Sequence, residues 1–168
     1  MLRLSDQATS VGADDQLLIE VQAVSMSPGA LAVLERVREV LRLVLAAGEG
    51  EWPDLAEWRV TLPQWFLSAC AEEETPENAE KWLAWWRTLD PDARAQAARD
   101  RPWSLTDWLH WLYPPERQWF WWGASTNGDD LITITVVVNG WPAPLGALEW
   151  LLKAAGASTV VTSDRGSA

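Results

Sequence analysis

Residues 117–138 read RQWFWWGASTNGDDLITITVVV, and how this stretch pairs with itself decides the fold. Asn127-Gly128 between two alternating segments is a strong hairpin signal and predicts a two-residue type I′ turn. That register sets Thr126 opposite Asp129, Gly123 opposite Ile132, Trp121 opposite Ile134 and Trp119 opposite Val136. Side chains alternate along a strand, so Phe120 and Trp122 fall on the other face, opposite Thr135 and Thr133. One face is coherently apolar. The other is aromatic but lined by threonines, too polar for an obvious core and too aromatic for a plain solvent face.

Downstream, NGWPAPLGALEWLLKAAGA predicts a turn and a helix, and residues 158–168, STVVTSDRGSA, are expected to form a flexible polar tail. The N-terminal part follows the same order. In QLLIEVQAV, Leu17, Ile19, Val21 and Ala23 share one face and Glu20 and Gln22 the other, the pattern of a half-buried strand. After SMSPG, the residues Leu34, Val37, Leu41, Val44 and Leu45 recur at helical spacing, with Gly48 as a stop. VQAVSMSPGALAVLERV and VVVNGWPAPLGALEWLL therefore echo each other as strand, proline turn, Gly-Ala-Leu and helix. The expectation is a single α+β domain over residues 1–157. A small, mostly antiparallel sheet of about three strands is packed by the N- and C-terminal helices. A tryptophan-rich helical insert occupies residues 49–115 or so.

The insert is helical in short pieces punctuated by proline. Thr61 suits an N-cap before Pro63, Thr75 one before Pro76, and Asp90 one before Pro91. Ser104 and Asp107 fit a capping box, and Pro114-Pro115 end that helix. Trp82, Trp85, Trp86 and Leu89 form one helical stripe, and Leu105, Trp108, Leu109 and Leu112 another. Trp82, Trp86, Trp108, Trp119 and Trp121 are expected in the core. Trp58, Trp85, Trp111, Trp122 and Trp141 fall on second faces or at turns, where packing and binding are evenly matched.

Composition narrows the function. The 168 residues hold fourteen tryptophans, one cysteine and a net charge of −11. Residues 49–80 carry nine acids against one base, Arg59. A nucleic-acid backbone needs a basic stripe, which is lacking, so no direct nucleic-acid binding is expected. A membrane span needs roughly 20 apolar residues, and Arg42 interrupts the best run. MLRLSDQATSVGADDQ has no stretch apolar enough for a signal peptide, which gives a cytoplasmic reading. Eleven arginines against two lysines, with much alanine, fit a high-GC bacterial genome. Cys70 alone can form no intrachain disulfide and reads as a small buried hydrophobe. His110 is the sole histidine, so neither a metal nor a cofactor is expected.

The reading that results is a non-catalytic, acidic interaction module that holds a basic partner protein, as an inhibitor or immunity-type protein masks a basic site. Its candidate binding residues are Glu72, Glu73, Glu74, Trp85, Trp111, Phe120 and Trp122. One alternative is a small-ligand binder walled by Phe120 and Trp122. A second is an enzyme using Asp107, His110 and Glu116. A homo-oligomer through an edge strand or aromatic patch is also compatible with the sequence.

Overall fold

The computed structural model describes residues 16–140 and 142–164, so Trp141 lies outside the described residues. In chain order the elements are β1 (Leu17–Val24), α1 (Ala30–Ala47), α2 (Leu55–Thr61), α3 (Gln64–Ala69), α4 (Pro76–Arg87) and α5 (Pro91–Asp100). There follow α6 (Leu105–Leu112), β2 (Trp119–Asn127), β3 (Leu131–Val138), α7 (Gly146–Ala155) and β4 (Thr159–Asp164). The protein is α+β, with one antiparallel sheet of four strands in the order β2-β3-β1-β4.

The fourth strand corrects the expectation of about three. Residues 159–164 fall in the stretch read as a mobile tail, yet they pair with β1 from Val24↔Thr159 to Ile19↔Asp164. Only 165–168 of that tail lie outside the described residues. With α2–α6 set aside, the chain runs β1-α1-β2-β3-α7-β4. Each β-α-β unit has a strand of the other unit between its own two, which is the split arrangement of ferredoxin-like folds.

The hairpin register differs from the sequence expectation. Three residues, 128–130, link the strands, and Asn127 pairs with Leu131. Gly128 has φ of +66°, but no described non-glycine residue has positive φ, so Asn127 does not adopt the conformation a type I′ turn requires. The cause is tertiary. The carbonyls of Asp129 and Asp130 accept hydrogen bonds from Ala30 N and Ser25 N, each 2.8 Å, so the loop anchors the β1–α1 connection. Carried along the strand, this pairing would turn Trp119 and Trp121 outward. A β-bulge between Trp121 and Gly123 absorbs one residue and restores the inward face, with Trp121 opposite Val136 and Trp119 opposite Val138. Trp122 is the residue displaced, 67% exposed.

On the inward face Ile19, Val21, Ala23, Ile132, Ile134, Val136 and Val138 are buried. They lie under Val33, Val37, Val40 and Val44 of α1 and Leu148, Leu151 and Leu152 of α7. The insert is held to this core chiefly by α3 and α6, both packed on α7. Trp108 is fully buried and donates from Nε1 to Ala147 O at 3.0 Å. The Phe66 ring lies edge-on to Trp108 at 4.7 Å and to Trp150 at 5.5 Å.

The caps at Thr75 and Asp90 form as expected, whereas at Ser104 only half of the expected capping box forms: Ser104 Oγ accepts from Asp107 N, and no return bond to the Asp107 carboxylate occurs among the described residues. Thr61 instead closes α2, donating to Glu57 O, and α3 starts after Pro63. The α4 stripe is not core. Neither α4 nor α5 has a buried residue, and Trp82 and Trp86 are only half-buried, because α4 pairs with α5 instead of docking on the sheet. Trp121 is half-buried as well, whereas Trp58 is fully interior.

Gly156 lies where α7 ends against the β1–α1 loop, with φ of +122° and only 2.8 Å between its would-be Cβ and Pro28 Cδ. Gly156→Ala should therefore destabilise the protein by about 2–4 kcal/mol in urea unfolding. Gly50→Ala, which meets open space, is the control and should stay within about 0.5 kcal/mol. Trp108→Ala should cost about 3–5 kcal/mol in the same assay.

Candidate functional site

Two clefts flank the segment that leads into α6. Ala71 donates from its backbone N to Trp103 O at 2.8 Å, and residues 71 and 104 form a short parallel bridge. This bridge lays the Glu72-Glu73-Glu74 run alongside the start of α6. Ser104 Oγ accepts from Asp107 N at 3.1 Å and so opens the helix. Glu73 Oε1 accepts from Thr106 N at 3.1 Å, an acid placed at the positive end of the helix.

The first cleft is a groove of about 310 Å³ lined by Trp82, Arg101, Trp103, Asp107, His110 and Trp111, with Ala98 and Pro102 at its edge. Its floor comes from α6, where Asp107, His110 and Trp111 stand at helical spacing on one side. Arg101 lies over the Trp82 ring at 4.1 Å and pairs with Glu74. Trp103 leans on the first turn of α7, so close that a Cβ on Gly146 would meet its ring at 3.4 Å. The His110 ring stands edge-on to Trp111 at 5.3 Å. Asp107 is exposed, and among the described residues its carboxylate has neither an ion pair nor a hydrogen bond.

The second cleft, about 300 Å³, is lined by Arg59, Leu67, Cys70, Ala71, Glu72, Glu73 and Leu105. Arg59 pairs with Glu73 at 3.6 Å. Cys70 is half-buried and donates from Sγ to Phe66 O. Burial first, and the Glu73 carboxylate second, push its thiol up to about 11, with Arg59 pulling partly back.

The seven candidate binding residues are scattered. Glu72, Glu73 and Glu74 run between the clefts, but Glu73 and Glu74 are engaged by Arg59, Thr106 and Arg101. Of these three glutamates, only Glu72 is without an ion pair among the described residues, and it is exposed. Trp111 lines the groove, and Trp85 is 51% exposed on α4. Phe120 and Trp122 lie on β2, away from both clefts, with Arg117 over the Phe120 ring at 5.3 Å. Burial lowers the pKa of that guanidinium. Of the alternative triad, Asp107 and His110 share the groove, while Glu116 lies beyond α6 in a turn closed by its N–H to Tyr113 O.

Sequence reasoning missed Trp103, Arg101 and the groove-facing role of Trp82. The one local signal was Trp103 directly before the Ser104 cap, the position from which an apolar residue staples a helix start. No metal-holding group of three or more His, Cys, Asp or Glu occurs among the described residues.

The raised thiol gives a test of the second cleft. A protonated Cys70 is favoured in the folded state, so its contribution to stability is present below the unfolded thiol's value and lost as pH rises through about 11. At pH 9 iodoacetamide should alkylate native Cys70 about 50-fold more slowly than the urea-unfolded chain, in proportion to the thiolate fraction, with the gap closing towards pH 11. Glu73→Gln should speed the native reaction by removing the negative charge that helps hold the thiol protonated. Equal native and unfolded rates at pH 9 would show that the thiol is not held protonated.

The chain matches no protein-family model, no curated protein and no solved structure. What the groove can hold follows from its own side chains.

Proposed function

We propose that the protein is a non-catalytic binding module, acting inside the cell, that holds a basic partner protein through its acidic, tryptophan-bearing insert. The reading is of the inhibitor or immunity type. The observation that carries it is where charge and exposed indole coincide. Residues 49–115 hold thirteen acids against six bases, a net of −7 within a chain of −11. The same insert carries the exposed Trp85 and the half-buried Trp82, Trp103 and Trp111.

Physical chemistry divides the labour. The acids raise the rate at which a basic surface arrives, and the indoles supply contact area that holds it. Glu72 and Asp107 have no cation of their own among the described residues, so a partner's charge meets them without first breaking an internal pair. Glu73 and Glu74 shape the surface instead, by fixing the start of α6 and orienting Arg101.

The test is affinity capture from native lysate at low and high salt, with wild type beside a Glu72→Gln/Asp107→Asn variant. The expected result is one or a few proteins of strongly basic composition, retained by wild type at low salt, released at high salt and several-fold depleted on the variant. Retained proteins that are neutral or acidic, or bound equally to the variant, would overturn the reading.

A further inference from the structure

Among the described residues, four partly buried aromatic rings each lie beneath an arginine. Arg36 covers Trp65 at 5.8 Å, Arg94 covers Trp86 at 5.2 Å, Arg101 covers Trp82 at 4.1 Å and Arg117 covers Phe120 at 5.3 Å. Indole faces attract a guanidinium through the ring quadrupole and through planar stacking. Trp103 and Trp111 are the groove's other two indoles, equally half-buried, and no described cation covers either. Asp107 lines the same groove, exposed and without an ion pair among the described residues, so the groove brings an anion together with two indoles that no described arginine covers.

We infer that this groove receives an arginine side chain of the partner, its guanidinium between Trp103 and Trp111 and paired with Asp107. The inference rests on the reading of the protein as a binder of a basic partner and names the contact. Arg101 supplies the precedent within the groove itself. Its guanidinium stacks on Trp82 while its charge is taken up by Glu74, so the incoming cation meets a neutralised pair and a free acid. The volume of about 310 Å³ has room for one arginine side chain. A planar, forked guanidinium can stack and bind a carboxylate at once, which a lysine ammonium cannot do as well.

The test uses the full chain, ¹⁵N-labelled on its indoles, titrated with the peptide acetyl-Gly-Arg-Gly-amide at fixed ionic strength. The indole signals are assigned by single Trp→Phe variants. The expected result is saturable shifts of the Trp103 and Trp111 signals, with the citrulline peptide, isosteric but neutral, at least about tenfold weaker. The lysine peptide should be intermediate, and Asp107→Asn should weaken arginine binding about fivefold or more while the circular dichroism is unchanged. Trp103→Phe and Trp111→Phe, which keep a ring, check that loss in the Asn variant is loss of charge. Absence of shifts, equal binding of arginine and citrulline peptides, or indifference to Asp107→Asn would each overturn the inference.

The wider reading fails separately. A basic partner captured equally by wild type and Asp107→Asn overturns the groove contact and leaves the acidic module standing. Arginine-peptide binding in a protein that retains no basic partner supports the groove and removes the module.

Discussion

The fold depends on a buried polar junction around Ser25. Its hydroxyl is fully removed from solvent and donates to Gly156 O at 3.1 Å, while its N–H donates to Asp130 O. Ala30 N donates to Asp129 O, Ser158 N to Val24 O, and Arg36 Nη1 to Ala155 O at 3.0 Å. The start of α1, the hairpin loop, the end of α7 and the entry to β4 thus meet at one place. A buried donor or acceptor left alone costs far more than a satisfied one contributes. The junction therefore sets the angle of both covering helices, and through the hairpin loop it sets the register of β2 against β3.

That register has consequences at a distance. With Asp129 and Asp130 used as acceptors, the turn must be longer than two residues, and a bulge is needed to bring Trp119 and Trp121 back to the core side. The bulge also deforms the outer edge of β2, which discourages pairing with another chain there. The insert escapes this chain of constraint because it hangs from α7, by Trp108 and by Phe66 against Trp150. Its outer pair, α4 and α5, has no buried residue and is free to be shaped by surface chemistry.

Much of the fold was legible in the sequence because its determinants are local. The alternation in β1, the caps at Thr75, Asp90 and Ser104, and the inward stripe of α6 need only neighbours a few residues away. What was not legible needs a distant partner. The hairpin signal at Asn127-Gly128 yields to backbone groups about 100 residues earlier, at Ser25 and Ala30. The tail became β4 because β1 offers an edge, although Ser-Thr-Val-Val-Thr-Ser carries little apolar periodicity. The α4 stripe had the right spacing for a core helix, but spacing does not say whether the apolar face meets a sheet or an arginine. The glutamate run looked free because Arg59 and Arg101, thirteen or more residues away in the chain, take up two of its three charges only in the fold.

The tryptophan content and the arginine bias belong to one physical scheme. Read as composition, eleven arginines against two lysines suggested only codon usage. In the fold, four of those arginines lie over aromatic rings, at 4.1 to 5.8 Å from the ring centroids, where the ring quadrupole attracts the cation. Lysine could not substitute, since a hydrated ammonium on a flexible stem stacks poorly. Lys81, one of the two, makes only an exposed pair with Glu77 one helical turn away. An acidic protein thus covers three of its half-buried indoles, Trp65, Trp82 and Trp86, with its few cations. Trp103 and Trp111 stand outside that scheme: no described arginine lies over either ring, and Asp107, which lines the same groove, has no ion pair among the described residues.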